Sequence, residues 1–285
     1  MAEDVTARFS YFQWQEKFDQ EKPYYLYLDL PEGVPLYNFS TAPGPTESVF
    51  DLRHNANSFN LDDNGFMVMK QDFPLENIDQ EAVENVYLPS LEILIRDAVG
   101  QDAEIVWFDW RTRSSDPTRT TFPTGTKIQL DDRSISLQPV KAVHVDQSAS
   151  SAVNRVHRHS GDKADDILKG RVRIINLWRP YGIPVESHPI ALLDGSTVPR
   201  DKLVEVDVVR QSYIGESYYL LPHDGYRWYF INNQKCDEVL LFKMYDSDDN
   251  VGAKCCPHAS FDQQVGVGAK PRESIEARAL VYTPA

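Results

Sequence analysis

Along much of the second half of the chain, apolar and polar positions alternate with a period of two. Arg171-Val172-Arg173-Ile174 opens one such run, which then turns apolar through Trp178 with Asn176 and Arg179 embedded in it, as a strand entering a core does. Val204 to Arg210, Glu216 to Leu221, Arg227 to Ile231, Glu238 to Tyr245 and Ser274 to Tyr282 read as further strands from their β-branched and aromatic content. Ala103 to Trp110 is another, ending in Arg111-Thr112-Arg113. Short alternating runs broken by Pro and Asn-Gly predict strands and turns over roughly the first 75 residues, where Tyr11, Phe12, Trp14 and Tyr24 to Leu28 lie.

Helical spacing takes over from Asp79 to Val99, with Val83, Val86, Tyr87, Ile93, Leu94 and Ala98 on the stripe and Gly100 as the stop. Pro89 is expected to kink or divide this helix. Ser148 can cap a second helix through about His159, followed by an acidic piece from Lys163 to Leu168. Ser114 to Gly125, polar and interrupted by proline, is expected to be a flexible loop.

The pattern fits one strand-rich domain with an elaborated N-terminal half. A net charge of -14 argues against duplex nucleic acid, whose binders present basic faces, but leaves room for a small anionic substrate held by a few buried arginines. No apolar run is long enough to span a membrane, and Met1-Ala2-Glu3-Asp4 has no signal-peptide character, so a soluble cytoplasmic protein, a monomer or homodimer, is expected. Three cysteines (Cys236, Cys255 and Cys256) without finger spacing fit a reducing compartment. The vicinal pair is a poor metal site, because strand alternation sends the two side chains to opposite faces.

The candidate chemistry starts at Val143-His144-Val145-Asp146. Residues two apart on a strand share a face, so an imidazole and a carboxylate aim at one point. That pair is two of the three ligands of non-haem Fe(II) oxygenases, the third being a distant histidine. Standing alone, His144 is equally an ordinary half-buried strand histidine. His157 and His159 are set aside, since residues two apart on a helix diverge. His223 and His258 remain for the third position. An anionic cosubstrate such as 2-oxoglutarate also needs a charged fork for its far carboxylate. His258 is followed fourteen residues on by Arg272-Glu273-Ser274, whereas His223 has only Arg227 nearby. The constellation is His144, Asp146 and His258 for iron, with Arg272 and Ser274 for the cosubstrate and Arg278 as the rival anchor. Glu276 stands between the arginines as an orienting partner. Asn176 and Arg179 must pair with protein groups or face a polar ligand. The turn Asp246-Ser247-Asp248-Asp249-Asn250 lacks the glycine and closing glutamate of a calcium loop.

From Pro139 to Tyr282 the chain resembles the AsaB-like hydroxylase/desaturases of fungal natural-product pathways, related to the cephem methoxylase component and gibberellin desaturase. The resemblance rests on His144-Val145-Asp146, Asn176 to Pro180, Asp237 to Lys243, Tyr245-Asp246-Ser247, Pro257 to Phe261 and Pro271 to Arg278, with Asp51-Leu52-Arg53 and Asn64-Gly65-Phe66 upstream. One departure is Tyr226-Arg227-Trp228, where the family tends to carry a histidine before the arginine.

The resemblance implies a mainly β protein with flanking helices and a double-stranded β-helix core, jelly-roll and cupin-like. Residues 1–285 then form a single dioxygenase domain, with N-terminal strands and a covering helix over 1–100 and the core with its metal site over 101–285. It implies Fe(II), 2-oxoglutarate and O2 acting on a small secondary metabolite, and it adds Trp178, Arg179, Arg227 and Tyr229 as site candidates. Two rivals are a cupin-like metal isomerase or hydrolase, which would not need Arg272 and Ser274, and a non-catalytic accessory subunit, against which intact ligands count.

Overall fold

A computed structural model describes residues 3–28, 34–120, 133, 135–263 and 268–284. Among these, the strands are β1 (Val5–Phe12), β2 (Tyr24–Tyr27), β3 (Thr41–Asp51), β4 (Phe66–Lys70), β5 (Glu104–Ser114), β6 (His144–Val145) and β7 (Arg171–Pro180). They continue as β8 (Ile190–Leu193), β9 (Leu203–Arg210), β10 (Tyr213–Leu220), β11 (Trp228–Phe230), β12 (Glu238–Asp246), β13 (His258–Ser260) and β14 (Glu273–Thr283). They form a nine-stranded sheet in the order β1-β3-β11-β8-β13-β6-β10-β9-β2 and a five-stranded sheet in the order β4-β12-β7-β14-β5. The larger sheet curls so far that Ser10 of β1 bridges to Ala142, just before β6. Facing, curled, mostly antiparallel sheets are the jelly-roll architecture.

Alternation along β7 and β12 splits the smaller sheet into two faces. Val172, Ile174, Trp178, Leu240 and Phe242 pack toward the larger sheet, in a core shared with Leu192, Val145 and Phe66. Ile175, Leu177, Val239, Leu241, Ile275 and Ala277 point outward and are covered by helix α1 (Leu88–Val99) through Leu91, Leu94 and Ile95. The helix predicted at Asp79 to Val99 is present, but its buried stripe differs from the expected one. Val83, Tyr87, Leu88 and Leu91 face the sheet, whereas Val86 and Ile93 are exposed. Pro89 does not divide it. The turn before it, Val83–Tyr87, widens to a π-helix, with Leu88 N–H bonding Val83 C=O five residues back. Proline then sits in the first turn of α1, where its missing donor costs little.

Ser148 caps helix α2 (Ala149–Ser160) by accepting from Ser151 N–H at 3.1 Å. The predicted loop from Ser114 contains a helical turn, Pro117–Thr120, and its remainder to Gly125 lies outside the described residues. Strands β8 and β13 went unpredicted because each is short and without alternation. They flank one another, Ala259 facing Ala191, and carry His258 into the larger sheet. No helix of the described residues is long and apolar enough to cross a membrane.

Candidate metal centre

Register brings the distant histidine to the His-x-Asp pair. His258 of β13 lies directly opposite His144 of β6, with ring centroids 4.4 Å apart. One ligand atom each from His144, Asp146 and His258 lies within 4.8 Å of the others. His144 Nδ1 lies 2.9 Å from the Ala142 carbonyl and His258 Nδ1 3.3 Å from that of Cys256, so each ring donates at Nδ1 and keeps a lone pair on Nε2. Burial, with His144 alongside, pushes the His258 imidazole down to about 3, which keeps it neutral.

Asp146 is held from one side. Its Oδ2 accepts from Asn176 Nδ2 at 2.8 Å and from Arg278 Nε at 2.8 Å, while Oδ1 faces His144 Nε2 at 3.5 Å. Burial works to raise this carboxyl, but the Arg278 guanidinium outweighs it and holds it well below the usual range. Two imidazole rings and a carboxylate oxygen therefore converge on one point. Such a donor set fits a divalent transition metal bound on one octahedral face.

Arg278 is spent on this arrangement. Besides Asp146, it donates from Nη1 to Asp109 at 2.7 Å and from Nη2 to Glu276. All three nitrogens face carboxylates, so its place as the rival cosubstrate anchor is corrected: it positions Asp146. Glu276 is paired with Arg278, and burial raises its carboxyl.

Arg272 is the opposite case. It is 2% exposed, donates from Nη1 to the His188 carbonyl at 2.7 Å and to Ser260 Oγ at 3.3 Å, and lies 5.4 Å from the Trp178 ring centre. His188 takes a left-handed φ of 50°, unusual for a non-glycine residue, with its carbonyl against Arg272 and Ser260. Arg272 Nε and the nearby Ser274 Oγ are buried without hydrogen-bond partners among the described residues, and burial pulls the Arg272 guanidinium down to about 9. Ser260 is two residues from His258 on the same strand face, about 7 Å along the chain. The guanidinium is thus one short diacid's length from the triad, with unused donors. That corner fits a carboxylate. Ser260 and His188 were missed by the sequence reading, since neither residue type advertises the role.

The remaining candidates separate. Asn176 and Trp178 face the site, the first on Asp146 and the second against Arg272. Arg179 is one residue on and therefore on the other face. It bonds Tyr87 Oη, the Gln71 carbonyl and the Cys236 carbonyl under α1, so it is a structural residue and not a cosubstrate contact. Tyr229 shares the His258 face but is separated from it by Leu192 of β8, roughly 10 Å at two strand spacings. Its ring packs on Phe59 and Phe66. Arg227 is exposed beside it, on the rim of a surface cleft of about 930 Å³ that also includes Glu47, Phe50 and Asp51. Neither residue reaches the triad.

Comparison with known proteins agrees with this architecture. A family model described as an oxidoreductase/YMDC permease-like domain matches residues 9–282. The Fe(II)/2-oxoglutarate-dependent dioxygenase nvfI of Aspergillus novofumigatus is 29% identical over 265 residues, covering 86% of this chain and 90% of its own. The hydroxylase/desaturase poxK of Penicillium oxalicum is 28% identical, with 89% and 83% covered. The solved structure of the iron and alpha-ketoglutarate-dependent endoperoxidase NvfI superposes over 99% of both chains with a TM-score of 0.84 and 28% identity.

Proposed function

The chain belongs to this oxidoreductase family, the AsaB-like hydroxylase/desaturases among the Fe(II)/2-oxoglutarate-dependent dioxygenases, and we propose that His144, Asp146 and His258 are its iron ligands and Arg272 its cosubstrate anchor. It oxidises a small secondary metabolite, with 2-oxoglutarate leaving as succinate and CO2. The observation that carries the residue assignment is the convergence of three ligand atoms within 4.8 Å, beside a buried guanidinium with a spare donor.

Bound Fe(II), with 2-oxoglutarate and O2, supplies an oxidant strong enough to take hydrogen from an unactivated C–H. The chain's own residues do the rest. Asn176 and Arg278 fix Asp146 so that Oδ1 faces the metal position, and the carbonyls of Ala142 and Cys256 fix the tautomers of both histidines. Arg272 and Ser274 take the far carboxylate of 2-oxoglutarate, with Trp178 holding the guanidinium plane. Packed apolar groups behind His258, Phe242 at 4.8 Å among them, exclude water from that side. The whole chain acts as one dioxygenase domain, since β1 and β3 belong to the sheet that carries both histidines. With free cysteines, it works in the cytoplasm as a monomer or homodimer.

The test is anaerobic addition of Fe(II) and 2-oxoglutarate, followed through the visible charge-transfer band of the chelate. Wild type should show the band. Arg272→Ala should need roughly 10–100-fold more 2-oxoglutarate to develop it while binding Fe(II) normally, as loss of a charged hydrogen bond worth about 1.5–3 kcal/mol implies. Unchanged 2-oxoglutarate affinity in that variant contradicts the anchor assignment.

A further inference from the structure

Two of the directions leading away from the triad are occupied. Toward β8 and β11 lie Leu192 and then Tyr229, with Phe242 against the His258 ring. Toward the start of β14 lies the Arg272 corner. The third direction runs between β5 on one side and β10, β9 and β2 on the other. Register extends the His144 row to Tyr219 and then Val204. The next rows on that face carry Ser217 with Val206, then Val208 with Tyr25, and then Arg210 with Tyr27. This wall is tyrosine and valine, ending in one arginine.

Across from it, β5 shows Asp109, Arg111 and Arg113 on the face where β14 shows Arg278, Glu276 and Ser274. Asp109 is taken up by Arg278 and Arg133, at 2.7 and 2.6 Å. Arg113 differs. Among the described residues its one side-chain hydrogen bond goes from Nη1 to the Gln138 carbonyl at 2.8 Å, and it has no ion-pair partner there. Burial weakens its hold on charge, and it feels Glu276 and Asp146 on its own side and Tyr27 from the facing wall. Arg210 stacks over the Tyr27 ring at 5.0 Å and likewise has no carboxylate beside it among the described residues. The carboxylates of this face, Asp109, Asp146 and Glu276, all lie against Arg278. Arg113 and Arg210 are thus the two cations of this wall with no carboxylate in direct contact among the described residues.

We propose that Arg113 is a specificity residue that binds a carboxylate on the primary substrate, whose apolar body lies along Tyr219 and Tyr25. This rests on the reading of His144, Asp146 and His258 as the metal site, because it is their position that makes this gap the substrate's place. A carboxylate fits better than a phosphate ester. One planar guanidinium forks onto two oxygens, while among the described residues no helix N-terminus or run of backbone N–H groups faces the gap to take a third. An aliphatic or ring body suits the wall opposite, where the half-buried Tyr219 and Tyr25 offer aromatic surface beside the packed cluster of Val204, Val206, Phe12 and Phe39.

The experiment is calorimetric titration of cyclohexanecarboxylate, 4-phenylbenzoate and decanoate, each against its methyl ester. It is run on the anaerobic protein with Fe(II) and 2-oxoglutarate and again on the metal-free protein. At least one acid should bind tenfold or more tightly than its ester. Arg113→Gln should erase that preference, Arg113→Lys should keep part of it, and both should keep wild-type affinity for 2-oxoglutarate, read from the visible chelate band. Acids no better than their esters in wild type, or a preference that survives Arg113→Gln, overturns the proposal. So does a loss of 2-oxoglutarate affinity in Arg113→Gln, which would place Arg113 in the cosubstrate corner. A wild-type protein that forms no chelate band while still preferring acids would instead contradict the metal reading and leave the anion site standing.

Discussion

Two clusters of buried charge sit along β7, one at its start and one at its middle, and they are built differently. One holds Asp246, Lys243 and Arg171. Asp246 Oδ2 accepts from Lys243 Nζ at 2.5 Å and from Arg171 Nη2 at 2.7 Å, and its Oδ1 accepts from Arg171 Nε and the Asp248 N–H at 3.0 Å each. Burial works to raise the Asp246 carboxyl, but Arg171 and Lys243 outweigh it and hold it low. Its loose end, Arg173 Nε, lies 3.9 Å from the same carboxylate. The other cluster holds Asp146, Arg278 and Asn176. Here Asp146 keeps one oxygen turned toward the His144 imidazole, and among the described residues Asn176 Oδ1, Arg272 Nε and Ser274 Oγ lack hydrogen-bond partners. A cluster that closes on itself is holding the fold together. One that leaves converging acceptors and idle donors is arranged for something bound.

The contrast can be broken by removing a charge from each. Asp146→Ala should lower turnover by far more than the roughly 10–100-fold that outer partners of a metal site cost. Its melting temperature should stay near wild type, because Arg278 keeps Asp109 and Glu276. Measured turnover close to wild type would remove Asp146 from the metal site. Lys243→Met should do the reverse. Leaving Asp246 short of a partner is expected to destabilise by roughly 3–5 kcal/mol, on the order of 10 °C in melting temperature. The folded fraction should still form the Fe(II)/2-oxoglutarate chelate. A variant that melts normally but fails to bind metal would erase the distinction between the two clusters.

How much of this was legible beforehand follows from what strand alternation can and cannot report. It places His144 and Asp146 on one face, and Asn176 and Trp178 on one face of β7, because period two is a local property. The pairing of His258 with His144 is not local. It was reached through the spacing to Arg272 and through family resemblance. Arg179 was misread because an arginine in an apolar run looks the same from either side of the sheet, and only the helix packed beyond it decides that its partners are Tyr87 and Gln71. Arg278 was misread as an anchor since the demand of Asp146 for a counter-charge appears only once β14 and β6 are folded together. Arg113 was seen merely as the end of a strand. That no carboxylate pairs with it among the described residues is a property of three facing strands and has no signature in the string. Asp246, read as the start of an acidic turn, is 0% exposed because Lys243 three residues earlier and Arg171 from the neighbouring strand reach it.

The central claim is that two imidazoles and one carboxylate from this chain bind a single ferrous ion. X-ray absorption at the iron K-edge of the anaerobic protein loaded with one equivalent of Fe(II) tests it most directly. Two imidazole ligands are predicted in wild type, falling to one in His258→Ala. A first coordination shell with no imidazole scattering, or one that His258→Ala leaves unchanged, would contradict the account.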